Sequence, residues 1–175
     1  KRQAVACYAV ISYIVFPVQY FLTGIGEGVQ PLISFYHGAK KEMEVRAVKK
    51  IAYTAEIIFG ITAAAVTICM IPYIGGWFGL SAESKQCFSS GMLISSFAFL
   101  LTGTAKLNVS CLNAVMQTKK AVFMTYIESL AVSPICLFLL PAVWDIRGIW
   151  LALPVTAGIM TGIYGLIRKD RKNEE

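Results

Sequence analysis

Apolar residues in this chain do not alternate with polar ones. They run on, in five stretches of the length a helix needs to cross a hydrocarbon core, about 20 residues. The stretches cover residues 5–34, 51–73, 88–115, 121–143 and 148–167, with a polar tail over 168–175. Each is too long for a strand and lacks sustained apolar/polar alternation, so helices are expected. The predicted fold class is all-α: a polytopic transmembrane helix bundle of five spans. Pro17 and the glycine-rich stretch Gly24 to Gly28 are expected to interrupt the first span, and Pro31 follows as a second helix-breaking position.

The loops carry the charge. Lys40, Lys41, Arg46, Lys49 and Lys50 follow the first span, whereas Glu83 and Lys85 follow the second. Lys119 and Lys120 follow the third, Asp145 and Arg147 the fourth, and the tail holds Arg168, Lys169, Arg171 and Lys172. Basic-rich and basic-poor loops alternate, which predicts an outside amino end and a cytoplasmic carboxyl end. Lys1 and Arg2 then fall on the wrong side, outweighed by the five basic residues of the first loop. Tyr36, Tyr73, Trp77, Trp144 and Trp150 are expected at the interfaces. Two GxxxG patterns, Gly24 to Gly28 and Gly158 to Gly162, read as helix-packing sites.

Composition agrees with a bilayer. The 175 residues are 57% hydrophobic and 15% charged, against roughly 25% charged in soluble domains. The net charge of +6 sits in short loop blocks, which argues against nucleic-acid binding. The five cysteines show neither zinc-clasp nor redox spacing. No metal site is expected.

An ionisable group inside a span is costly and needs a reason. Glu27 lies between two glycines, four residues before Pro31. It reads either as a proton or cation site beside a loosened helix, or as a solvated residue near the cytoplasmic end. Gln30 hydrogen-bonds a substrate or caps the broken turn. Lys106 precedes Gln117 by 11 residues and Glu128 follows Lys120 by 8. On antiparallel neighbours their depths differ by about 4.5 Å, so an ion pair is expected, structural before it is a transport element. Glu56, six residues beyond Lys50, is expected to reach water near the interface. The third span is polar, with Ser95, Ser96, Thr102, Thr104, Asn108, Ser110 and Asn113. Thr104, Asn108 and Cys111 follow helical spacing and are expected to face a water-filled path. The alternative is that they join helices by hydrogen bonds. His37, the only histidine, lies at the cytoplasmic mouth. No nucleophile has a base partner, and no phosphate loop of the Walker type occurs, so an enzyme is not expected.

The most specific stretch is Gly24-Ile25-Gly26-Glu27-Gly28-Val29-Gln30-Pro31-Leu32-Ile33-Ser34, followed by Gly38-Ala39. It resembles the Gly-rich, Gln-Pro segment that closes a helix in each half of multidrug-and-toxin-extrusion (MATE) transporters. Asn113 to Lys120 is similar to the turn between that family's tenth and eleventh helices. Gly148-Ile149-Trp150-Leu151-Ala152-Leu153-Pro154 is similar to the opening of its last helix. The resemblance implies helices eight to twelve of a six-plus-six transporter, with the chain truncated at Lys1 and the N-terminal half missing. It implies a plasma-membrane antiporter that exports cationic organic compounds in exchange for H+ or Na+ and needs no other cofactor. Its partners are then the organic cation, membrane lipids and the missing half. One branch of the family places a cation-site acid in the third span, where this chain reads Leu101-Thr102-Gly103-Thr104, so that site is not carried over. Phe16, Tyr20 and Phe21 offer aromatic surface for an organic cation. A lipid-linked precursor flippase of related architecture is the alternative, as is a fragment without activity of its own.

Overall fold

The computed structural model describes the backbone of residues 2–79 and 82–174, and side chains over 7–79, 84–145 and 147–167. Lys1, the side chains of Arg2 and Glu83, and those of the basic tail residues lie outside the described set.

Three long helices come first: α1 (Arg2–Gly38), α2 (Glu42–Trp77) and α3 (Ala82–Ala114). A fourth, α4 (Thr118–Tyr126), passes through a π-helical turn (Ile127–Val132) into α5 (Ser133–Glu174). Within α5 the backbone leaves helical geometry at Trp144 and Asp145. The chain therefore crosses five times, over Cys7–Gly38, Glu42–Trp77, Ser84–Ala114, Thr118–Asp145 and Arg147–Ile167, each long and apolar enough to span a membrane.

The first span is not interrupted. α1 runs unbroken through Pro17, the glycines and Pro31. A proline removes one backbone hydrogen bond, and close neighbours in a membrane bundle tolerate the loss. The GxxxG expectation is also corrected. A Cβ on Gly24, Gly28 or Gly162 would meet nothing within 4 Å, and one on Gly158 would only graze Leu101. The glycine of that stretch in close contact is Gly26, where a Cβ would lie 3.0 Å from Ser110 Oγ and 3.4 Å from Leu107 Cα.

α3 is the hub, packed against α1, α2 and α5. One apolar cluster joins Ile11, Leu22, Ile74, Phe88, Met92, Phe99 and Trp150. Trp150 is only 5% exposed and stacks on Tyr8 at a centroid distance of 5.4 Å, so it belongs to the core rather than to an interface. A second cluster gathers Ile33, Val45, Ala52, Leu107 and Cys111 towards the basic loops. A third ties Met124 to Ala157 and Met160. Connections are short: residues 39–41 join α1 to α2 and 115–117 join α3 to α4. Lys40, Met116 and Asp145 adopt positive φ, as does Gly79. At the turn into the fifth span a Cβ on Gly148 would overlap the Leu140 carbonyl and lie 2.5 Å from Pro141 N. Only glycine fits that approach.

Candidate functional site: an ion pair on a cavity wall

The site begins with the π turn. One extra residue in a helical turn widens it, and such turns recur at functional positions. Pro134, just beyond, has no N–H to give to an earlier carbonyl. The widened turn carries Glu128, and Lys106 on α3 comes to meet it. Lys106 Nζ donates to Glu128 Oε1 at 2.8 Å. The Glu128 side chain is 17% exposed and that of Lys106 37%. The pair thus sits at a wall, with the lysine the wetter partner.

That wall belongs to a cavity of about 260 Å³ between α1, α3 and the last two spans. Gln19, Thr102, Ser133 and Thr156 line it with the ion pair, and Tyr8, Leu137 and Leu153 add apolar surface. Gln19 Nε2 and Thr102 Oγ1 are buried without a hydrogen-bond partner. Buried polar atoms normally have one, so this lining has hydrogen-bonding capacity that the described protein atoms leave unused.

The other expected residues are elsewhere. Glu27 is exposed on α1, and Gln30 is partly buried near the basic end of the same helix. The Thr104–Asn108–Cys111 stripe does not face a water path. Asn108 is buried and accepts a hydrogen bond from the Tyr53 hydroxyl. Cys111 lies in an apolar cluster. Thr104 bonds back to the carbonyls of Leu100 and Leu101. Among the polar residues of α3, Asn108 thus bonds to a neighbouring helix, Ser96 and Thr104 bond back to their own, and the cavity takes Thr102 and Lys106. None of the five cysteines is in a disulfide, and Cys7 Sγ donates to the Ser84 carbonyl at 3.1 Å. His37 Nδ1 lies 3.4 Å from Glu42 Oε1 across the first loop. Phe16 and Tyr20 are exposed, and Phe21 stacks on Phe59 at 4.2 Å.

Glu56 does not reach water. It is 1% exposed and neither carboxylate oxygen has a hydrogen-bond partner. Depth along α2 is legible in the sequence, but facing is not: the side chain turns inward, to α3. The missed signal was its position four residues from both Ala52 and Gly60, on the stripe that also buries Thr67 and Ile74.

A family model described as MatE matches residues 1–139. The chain belongs to the MatE family. Its fold is that of solved MATE transporters. A Vibrio cholerae MATE transporter, VcmN, in its bent form matches with a TM-score of 0.83 at 22% identity, over 96% of this chain and 38% of that one. A MATE protein in complex with MaL6 gives 0.82 at 13% identity, over 95% and 38%. An outward-facing multidrug-resistance MATE transporter gives 0.73 at 13% identity, over 97% and 40%. The chain thus spans well under half the length of these transporters. No curated protein sequence matches it. MATE proteins are membrane transporters, and the five apolar spans make this one a multi-pass membrane protein.

Proposed function

We propose that this MATE chain forms part of a secondary antiporter that exports cationic organic compounds in exchange for H+ or Na+. It would reside in the plasma membrane with its carboxyl end in the cytoplasm. The observation that carries this reading is Glu128, a carboxylate on a cavity wall whose counter-ion is a tethered, partly exposed amine. An organic cation entering the cavity competes with Lys106 for Glu128 and finds apolar and aromatic surface beside it. When the cation leaves, Lys106 returns, so the carboxylate is never left unpaired in a poorly solvated place. The membrane lipids solvate the outer faces, and alternating access requires a second lobe to rock against.

A flippase for polyanionic lipid precursors fits less well. Its cavity must be strongly basic, and the one lysine lining this cavity is neutralised by Glu128.

The test is ethidium efflux from cells lacking other exporters and expressing the protein from its complete gene. Expected are lower ethidium accumulation, loss of export when the H+ and Na+ gradients are both collapsed, and weaker export in Glu128→Gln. Export that survives collapse of both gradients, or no export at all, defeats the antiporter reading.

A further inference from the structure

Glu56 has no part in the cavity just described, yet three helices enclose it. α2 sets it between Ala52 and Gly60 on its buried stripe. α3 presents Gly103, where a Cβ would overlap Glu56 Oε2 and lie 3.2 Å from its carboxyl carbon. α1 closes the recess with Leu22, whose Cδ2 lies 3.1 Å from the same point. The missing side chain of Gly103 is thus the space the carboxyl occupies.

The charged and titratable groups on the packed helices do not serve it. On α1, Glu27 is exposed, and His37 sits at the far end beside Glu42. On α3, Lys106 is held by Glu128. On α2, the Tyr53 hydroxyl donates to Asn108, and Lys49 lies seven residues, about 10 Å, along the helix.

An ionised carboxylate here would have neither water, donor nor counter-charge, a far costlier state than the neutral acid. Hard cations gather about six oxygens, whereas among the described residues no cluster of carboxylates, histidines or cysteines includes Glu56 and neither of its oxygens has a hydrogen-bond partner. The ligand that fits is a proton.

We propose that Glu56 is a proton-binding site. It holds its proton while α1, α2 and α3 are closed and releases it when α2 parts from α3 and water enters. The O–H bond breaks and the proton passes to water open to one face of the membrane; the carboxylate then takes a proton from water at the other face before the helices close again. Resting on the antiport reading above, this selects H+ as the coupling ion and separates its site from the substrate cavity.

The experiment uses protein expressed from its complete gene, purified and reconstituted in liposomes. Infrared difference spectra of wild type against Glu56→Gln are expected to show loss of a protonated-carboxyl band that shifts in D2O. Glu128→Gln is expected to leave that band. Glu56→Gln, a shape match for the neutral acid, is expected to bind ethidium unchanged and lose uptake driven by a pH gradient. If Glu56→Gln is not recovered as folded protein, Gly103→Ala displaces the carboxyl and must shift the same band. The proposal is overturned if the spectra do not differ, if Na+ alone removes the wild-type band, or if Glu56→Gln keeps full pH-driven uptake. Failure of wild type to move ethidium at all counts against the antiport reading and the coupling role, while the band still decides whether Glu56 carries a proton.

Discussion

Breaking the Lys106–Glu128 pair from each side is expected to have unequal consequences. Lys106→Met leaves Glu128, whose side chain is 17% exposed, with no counter-charge. Glu128→Gln leaves Lys106, whose side chain is 37% exposed and has a flexible stem that can carry the amine toward the cavity. Removing one partner of a fully buried pair costs about 3–5 kcal/mol, and breaking an exposed pair costs about 0–1 kcal/mol. This pair lies between those limits. We expect about 2–3 kcal/mol for Lys106→Met and about 1 kcal/mol for Glu128→Gln. The double variant removes the stranded charge, so its cost should fall short of the sum by about 1–2 kcal/mol. Reversible unfolding in mixed micelles, with all four proteins in one detergent, reads these values. Single costs that add to within about 0.5 kcal/mol, or a costlier glutamate variant, would refute the reasoning.

Tyr53→Phe strands the buried Asn108 side chain and is expected to lower stability by about 1–3 kcal/mol in the same assay; an unchanged midpoint contradicts it. Gly148→Ala drives a methyl into the Leu140 carbonyl and should cost about 3 kcal/mol or more, seen as loss of monodisperse protein in size-exclusion chromatography. Asp145 holds φ 49 and ψ −134, a region only glycine adopts freely. Asp145→Gly should therefore be stabilising by about 1 kcal/mol, and clear destabilisation would show that the carboxylate matters more than the backbone. Cysteines at Ala39 and Phe78, in a background without the native five, should react with impermeant maleimide from opposite faces of the membrane; labelling from one face is incompatible with a spanning α2.

The spans were legible because lipid imposes a length that hydropathy reports directly. The ion pair was legible for a related reason. Short loops fix the register of neighbouring helices, so counting residues from Gln117 and Lys120 places Lys106 and Glu128 at similar depth. Facing was harder. Pattern reading locates a residue along a helix axis, but in an almost uniformly apolar helix it gives little information about which side meets protein. That is why Glu56 reads as wet, Trp150 as interfacial and Asn108 as cavity-lining. Small neighbours at four-residue spacing are the cue that survives, as Ala52 and Gly60 show for Glu56. The unbroken path of α1 was hidden for a different reason: breaker residues act by local rules that a packed bundle overrides.

The three-residue connections at 39–41 and 115–117 leave little slack. Four steps of about 3.3–3.6 Å each span only some 5 Å more than the 8–10 Å between packed helix axes. Helices tethered that tightly cannot swing apart at those ends. Motion there moves them in coupled pairs, so that displacing α1 draws α2 with it and displacing α3 draws α4.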